Sequence, residues 1–237
     1  MQHPHSNLHQ RARVFGFGIT ELLVTMAALA IMTAVAVSII ARSRAKSRLT
    51  VCTANLQKVN RAVLQFAEEH DQTLPRVDNS PAPGGWWYYK EQVKGYLGLT
   101  GPSSTNDTVF ACPNDRGYGE EESEKPRPFC KSTKYVHTSY VFNGVNLPGI
   151  PNIASREISS INDPSRTLLV MEWTAHGPLS WHRSRTGKAN TPFYNDAESV
   201  VGFVDGHADF VRIYYDGLNA AYTRDPAPGY NYKYSGD

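Results

Sequence analysis

The sequence predicts an α+β fold in which one long N-terminal helix packs on a C-terminal antiparallel β-sheet. Three features support this prediction. Residues 17–41 form an apolar run with a single charged residue, Glu21. Between Leu49 and Phe66, apolar residues recur at alternating spacings of three and four, the period of one helical face. Runs rich in β-branched and aromatic residues follow in the last third, most clearly at 200–211.

The apolar run is long enough to cross a membrane. About 25 helical residues, each rising ~1.5 Å, span roughly 37 Å, which exceeds the hydrocarbon core of a bilayer at about 30 Å. We therefore predict a transmembrane helix at residues 17–41. A carboxylate at the membrane centre costs on the order of 2.5–3.5 kcal/mol. Glu21 therefore either lies near one interface or meets a positive partner from another chain.

The helix is expected to continue beyond the apolar run. Neither Pro nor Gly occurs between Gly18 and Pro75, so nothing in the sequence interrupts a helix from about residue 18 to 69. Residues 42–74 are its predicted amphipathic continuation, packed on the soluble domain. Cys52 lies on the apolar face and is predicted to be a small buried thiol. The face consists of Leu49, Cys52, Leu56, Val59, Val63 and Phe66.

Residues 75–135 are rich in Pro and Gly and predict loops with short elements. The aromatic run at 86–89 could stack on a sugar or peptide, but packing of alternate rings into the core from one strand is favoured. Cys112 and Cys130 also lie here. Because there is no CxxC pair and few histidines are near in sequence, zinc is not indicated. We expect a Cys112–Cys130 disulfide that braces the loop.

Strands are predicted after residue 135. Residues 135–143 alternate partly, and 167–171 form a short apolar run suited to a buried strand. Two further runs flank Asp205-Gly206, the preferred centre of a type I′ hairpin turn. The tail fits either a last edge strand or a disordered end, since Tyr230, Tyr232 and Tyr234 have period two.

No enzyme motif is present in the sequence. Histidines and aspartates in the last third form the only cluster that could suggest catalysis, and no HExxH, GxSxG, P-loop or GxGxxG pattern accompanies them. We therefore predict that the protein is not an enzyme and has no metal centre or other cofactor. The formal net charge of +2 gives no reason to expect a nucleic-acid partner. The cluster consists of His176, His182, His207, Asp205 and Asp209.

The N-terminus carries a more specific pattern. Residues 1–16 are mostly polar, contain two arginines and no acid, and end in Gly16 directly before Phe17. Glu21 is the fifth residue counted from Phe17. This pattern resembles the class III signal of type IV prepilins and type II secretion pseudopilins. The resemblance implies a leader peptide, residues 1–16, that prepilin peptidase removes between Gly16 and Phe17. It also implies N-methylation of Phe17 and an assembly role for Glu21.

Three internal segments resemble a pseudopilin-like group of planctomycete-type bacteria. Residues 52–59 are similar to its CxxNLxQ signature, Cys112-Pro113 to its CP segment, and 203–207 to its F-[AV]-D-G-H segment. The resemblance implies a pilin-like fold in which residues 75–237 form an extracytoplasmic α+β domain. The family often has a Pro that kinks or melts the helix, and Ser38 stands at that position, so a melted segment is less expected there.

The resemblance also implies a function and a location. The chain would be a structural subunit of a filament or pseudopilus in a type II secretion or type IV pilus-like system. It would cross the inner membrane once, with its C-terminal domain outside the cytoplasm. Its partners would be prepilin peptidase, other pseudopilins or copies of itself, the inner-membrane assembly platform and the lipid bilayer. The basic cluster at 42–48 predicts the opposite topology by the positive-inside rule, but pilin-like proteins commonly carry such residues and still export the domain.

Two further expectations stay open. Major pseudopilins of type II secretion bind calcium through C-terminal loops, and the possible donors here match no calcium loop in their spacing. The main alternative function is a monomeric, membrane-tethered binding protein whose aromatic-rich domain recognises a glycan or peptide. A third possible function is that of a membrane-anchored enzyme, which would require activity from residues 75–237. The possible calcium donors are Asp196, Asp205, Asp209 and Asp216.

Overall fold

The computed structural model describes residues 18–77, 85–117, 127–176, 180–182, 197–214 and 225–237. The chain divides into two compact units, residues 1–44 and 45–237. Helix α1, Ile19–Glu69, begins in the first unit and ends in the second.

In the first unit, helix α1 exposes every described side chain from 18 to 44. Its large apolar side chains between Ile19 and Ile40 are 49–79% exposed. By length and composition, α1 could cross a membrane. The helix continues through Ser38, whose hydroxyl donates to the Ala34 carbonyl at 3.0 Å. The prediction of an uninterrupted helix is therefore confirmed at this position.

In the second unit, helix α1 buries one face, as the three-four spacing predicted. Leu49 is only half-buried at the start of that face. The helix ends at Glu69, as predicted, and residues 70–72 of the predicted 42–74 segment form a turn. Asp71 and Gln72 have φ of 53° and 59°, a left-handed conformation that a right-handed helix cannot include. The buried residues are Cys52, Leu56, Val59, Asn60, Ala62, Val63, Phe66 and Ala67.

Four strands form one antiparallel sheet in the order β1-β2-β3-β4. The strands are β1 Tyr140–Phe142, β2 Leu168–Glu172, β3 Glu198–Phe203 and β4 Ala208–Arg212. Strands β1 and β2 are buried along their whole length, whereas edge strand β4 is only partly covered. A short helix, α2 Tyr89–Val93, precedes the sheet. Single 3₁₀ turns lie at Lys94–Leu97, Thr108–Phe110, Phe129–Lys131, Ile158–Ser160 and Trp173–Ala175.

The predicted hairpin is present, but the predicted turn type is wrong. Strands β3 and β4 pair from Glu198 opposite Arg212 to Gly202 opposite Ala208. A type I′ turn centred on Asp205-Gly206 needs positive φ at both residues. Only Gly206 has it, at 96°. The Gly206 N–H donates to the Phe203 carbonyl at 3.0 Å. The connection is therefore a longer turn that ends in a left-handed glycine.

The aromatic run at 86–89 packs in the core, as the sequence analysis favoured. The run does not form the strand that was predicted for it. It forms a turn that leads into α2, and Trp86, Trp87 and Tyr89 are buried. In the described tail, residues 225–237, Tyr232 and Tyr234 are buried. Lys233 forms a single parallel bridge with Thr167, just before β2. This bridge replaces the last edge strand that the tyrosine spacing suggested.

The second half of α1 packs on the sheet, which gives the predicted α+β architecture. The Asn60 side-chain amide donates to the Phe203 carbonyl at 3.0 Å. Beside it, an added Cβ at Gly202 would lie only 2.5 Å from Asn60 Oδ1, so the glycine allows helix and strand to approach. At the β1 edge of the sheet, the Tyr140 hydroxyl donates to the Cys52 carbonyl at 3.1 Å.

Candidate functional site

The first candidate site is the exposed N-terminal turn of α1. Gly16 and Phe17, the predicted cleavage and methylation residues, lie outside the described residues. Glu21 is exposed, and its Oε2 accepts the Gly18 N–H at 2.9 Å. A carboxylate in the first turn is favourable beside the positive end of the helix dipole. Within the described residues Glu21 forms no ion pair.

The second candidate site centres on a disulfide that differs from the predicted one. Cys52 of α1 is bonded to Cys112, 60 residues later, and Cys130 is a free thiol. The predicted Cys112–Cys130 disulfide is therefore wrong, as is the prediction that Cys52 is a thiol. The inward face of α1 places Cys52 in the core, and Cys112 is buried there too. The bond thus ties the helix to the loop that precedes β1.

Cys130 is a half-buried free thiol. Burial, with the nearby charge of Asp115, raises the pKa of the Cys130 thiol to about 11. Asp115 itself is buried and accepts hydrogen bonds from the Gly117 N–H, the Cys130 N–H and the Ser139 hydroxyl at 2.8, 2.9 and 2.7 Å. Burial raises the pKa of Asp115, and these three hydrogen bonds oppose that rise. This network joins Asp115, Gly117, Cys130 and Ser139.

A buried acid and imidazole lie against the disulfide. His182 Nε2 is 2.8 Å from Glu172 Oε1 and 3.7 Å from the Cys112 sulfur. The side chains of Glu172 and His182 are 0% and 2% exposed. Glu172 Oε2 accepts the Val200 N–H of the neighbouring strand at 2.9 Å. An uncompensated buried carboxylate is costly, so these contacts are needed to hold Glu172 in the core.

The second ring nitrogen of His182 is also engaged. Asn114 Nδ2 lies 2.9 Å from His182 Nδ1. With the side-chain amide assigned in this orientation, Nδ1 accepts the hydrogen bond, and Nε2 carries the proton that points to Glu172. The imidazole is therefore fixed by one contact at each nitrogen, an arrangement that is also common around metal-bound histidines.

Four donor atoms from separate parts of the chain meet at this point. One ligand atom from each of Cys52, Cys112, Glu172 and His182 lies within 4.8 Å of the other three. The sequence argument against zinc near Cys112 rested on the few histidines nearby, and the fold brings His182 there. Sequence reasoning missed Glu172 and the place of Cys52 in this group. The acid ends an apolar strand, and no motif connects it to residue 182.

The histidines and aspartates predicted as a possible catalytic cluster have different partners. His176 is buried, with its ring centroid 3.8 Å from that of Trp86. His207 Nδ1 pairs instead with Asp205 Oδ1 at 2.5 Å in the hairpin turn. Asp209 Oδ1 accepts the Phe210 N–H at 2.7 Å. Of the possible calcium donors, Asp205 and Asp209 therefore each have one carboxylate oxygen in a hydrogen bond with a nearby residue. Asp196 and Asp216 lie outside the described residues.

Comparisons with family models, with curated proteins and with solved structures found no match for this chain. Any assignment of function therefore rests on the residues and contacts described above.

Proposed function

We propose that this chain is a pilin- or pseudopilin-like structural subunit that assembles through the apolar part of α1. The observation that carries the proposal is the exposed helix surface at residues 18–41, with Glu21 as its one charge. Large apolar patches rarely stay in water, so this surface needs a cover that the described part of the chain does not supply. A bilayer before assembly and a bundle of like helices afterwards would both provide it.

The position of Glu21 suggests how assembly would be directed. In the proposed mature chain, cleavage after Gly16 creates a free amine at Phe17, and this amine does not exist before processing. The Glu21 carboxylate of one subunit would pair with the amine of a neighbour as both leave lipid. A charge that is costly in the membrane would thereby gain a partner. Processing and assembly would then depend on the same pair of groups.

The soluble part of the protein fits export to an oxidising compartment. Disulfides persist outside the cytoplasm and are rare within it. The Cys52–Cys112 bond therefore favours a single-pass protein of the inner membrane with residues 75–237 on the extracytoplasmic side. The proposed partners are prepilin peptidase, other pseudopilins or further copies of the chain, the assembly platform and the bilayer. The proposed role is structural and requires no catalytic residue.

The alternative of a tethered receptor has less support. It would use the aromatic run at 86–89 to hold a glycan or peptide. Three of these four side chains are buried, however, and Trp87 stacks on Trp173 with ring centroids 5.3 Å apart. The rings that suggested recognition therefore stabilise the core.

The proposal is tested by replacing Glu21 with valine in the native membrane. Glu21→Val should insert at least as well as the wild type and should still be cleaved after Gly16. It should nevertheless fail to crosslink with itself or with partner pseudopilins. Thr25→Val is the matched control, because Thr25 is exposed on the same segment and its hydroxyl donates to the Leu22 carbonyl of the same helix. Undiminished crosslinking of Glu21→Val would mean that Glu21 is only an interfacial residue.

The processing step has an independent test. Mass spectrometry of protein from a host with active prepilin peptidase should find a methylated Phe17 at the N-terminus. Gly16→Val should block this cleavage, because a branched side chain would enter the peptidase site. An intact Met1 terminus in the wild type would refute the prepilin interpretation.

A further inference from the structure

We propose that reduction of the Cys52–Cys112 disulfide converts the buried cluster of four donors into a binding site for a zinc-class divalent cation. The ligands would be the two cysteine sulfurs, His182 Nε2 and Glu172 Oε1. This site is separate from the proposed assembly surface, and its test does not depend on assembly.

The donor chemistry matches zinc. Zinc is bound in proteins by thiolate sulfur, imidazole nitrogen and carboxylate oxygen, almost always with four tetrahedral ligands in structural sites. Softer thiolates together with an imidazole exclude calcium and magnesium, which prefer oxygen alone. All four side chains are buried or nearly so. Burial from water also distinguishes this cluster from a chance group of surface acids.

Apart from the separation of the two sulfurs, the geometry requires only small movements. With metal–ligand distances of about 2.0–2.3 Å, tetrahedral donors lie roughly 3.3–3.8 Å apart. The Cys112 sulfur and His182 Nε2 already have this spacing, at 3.7 Å. Nε2 and Glu172 Oε1 are closer, at 2.8 Å, because the proton on Nε2 forms a hydrogen bond between them. The cation would replace that proton and move the two atoms apart by about half an ångström. The two sulfurs would separate once their bond is broken.

Groups that would orient the ligands are already in place. The Val200 N–H holds the second oxygen of Glu172 at 2.9 Å, which leaves Oε1 directed at His182. Nε2 can bind a cation only if the proton moves to Nδ1. Asn114 lies 2.9 Å from Nδ1, and a rotation of its amide by half a turn would present the oxygen as acceptor for that proton. Such outer contacts tune metal affinity in known sites.

The chemical steps balance with two named reagents. A phosphine reductant transfers two electrons to the disulfide, becomes a phosphine oxide with oxygen from water, and leaves two thiols. Binding of Zn²⁺ then displaces one proton from each thiol to solvent. The imidazole stays neutral and the carboxylate stays ionised, so the loaded site carries one excess negative charge. The same pair of cysteines therefore connects α1 to the loop before β1 through a disulfide or through a metal.

The test uses the full chain in detergent micelles under anaerobic conditions. Oxidised and phosphine-reduced samples are titrated with Co²⁺ and, in competition with a chromophoric chelator, with Zn²⁺. We expect one equivalent of metal per reduced chain and none per oxidised chain. Bound Co²⁺ should show the intense visible bands of a tetrahedral ion and a thiolate charge-transfer band. Reduced wild type that binds no more metal than the oxidised protein would overturn the proposal without any substitution.

Substitutions identify the ligands. His182→Gln and Glu172→Gln should each weaken Zn²⁺ binding by at least about 100-fold, because loss of an outer contact to a ligand alone costs about 10–100-fold. Cys130→Ser is the matched control, because it removes the chain's other thiol but none of the four donors, and its affinity should equal that of the wild type. Unchanged affinity in His182→Gln, or a loss in Cys130→Ser, would show that the metal is not held by these four ligands. Near-ultraviolet circular dichroism of each reduced sample checks that the core is intact.

Discussion

Replacing Gly202 with alanine should destabilise the contact between α1 and the sheet. An added Cβ would lie 2.5 Å from Asn60 Oδ1, 2.7 Å from Asn60 Cγ and 3.1 Å from Leu56 Cδ2. Asn60 and Leu56 are fully buried, and the Asn60 amide is bonded to the Phe203 carbonyl, so Asn60 cannot move aside freely. Extra methylenes in a packed core cost typically ~1–3 kcal/mol. Because the clash is with a fixed polar group, we expect the upper half of this range.

The effect is measured by thermal unfolding of the full chain in micelles, followed by near-ultraviolet circular dichroism. A loss of about 2 kcal/mol should lower Tm by roughly 4–8 °C for a domain of this size. Gly95→Ala is the matched control. Gly95 is exposed, has no atom within 4 Å of its added Cβ and has an ordinary φ. It should leave Tm unchanged or raise it slightly.

A double-mutant cycle identifies Asn60 as the cause. Asn60→Ala removes a hydrogen bond to the Phe203 carbonyl, but that carbonyl keeps the Gly206 N–H at 3.0 Å. Asn60 Oδ1, moreover, is a buried acceptor without a partner among the described residues, so its loss is favourable. In the Asn60→Ala background, Gly202→Ala should therefore cost at least 1 kcal/mol less, within the range of measured couplings of about 0.5–3 kcal/mol. Additive effects, or a Gly202→Ala variant as stable as Gly95→Ala, would refute this account of the helix–sheet contact.

Three further predictions concern the cysteines and a buried histidine. Non-reducing peptide mapping should recover Cys52 joined to Cys112 and a free thiol at Cys130, and a Cys112–Cys130 peptide would contradict the structure. Replacing both Cys52 and Cys112 with alanine should lower the free energy of unfolding by about 4 kcal/mol in a guanidinium titration without metal, as loop closure over 60 residues implies. Burial lowers the pKa of His176 to about 3 from 6.5, so between these values only the unfolded chain takes up this proton. As the pH is lowered below 6.5, this group should therefore decrease the free energy of unfolding by up to about 1.4 kcal/mol per pH unit. His176→Phe should reduce the dependence of the free energy of unfolding on pH between pH 6.5 and 4.5. An equal dependence in the variant and the wild type would show that His176 is not the source.

Local patterns in the sequence predicted most of the fold. The three-four spacing from Leu49 to Phe66 depends only on helical geometry, so it located the buried face of α1 correctly. The hairpin was also found, because Asp205-Gly206 separates two β-rich runs. Its turn type was not, since φ at residue 205 depends on the register of β3 against β4. A dipeptide does not determine that register.

The buried cluster could not be predicted, because it depends on contacts between distant segments. Cys112 is closer in sequence to Cys130 than to Cys52, and the prediction paired it with the nearer cysteine. The useful signal was the inward position of Cys52 on α1, which placed its sulfur in the core. Glu172 gave no signal, since it follows the apolar run 168–171 like an ordinary strand end. Only the paired strand β3, through the Val200 N–H, explains how this acid is tolerated.

The contacts of α1 in the second unit bear on the proposed role. In a filament held together by apolar helices, any load on a subunit must pass from its helix to its globular domain. Three of the bonds that connect α1 to that domain are the covalent Cys52–Cys112 link, the Tyr140 hydrogen bond to the Cys52 carbonyl, and the Asn60 hydrogen bond to β3. They join the helix at two positions about two turns apart, since eight residues rise ~12 Å. A receptor that needed only a tether would gain nothing from this double attachment, whereas a stacked subunit requires its helix and domain to move together.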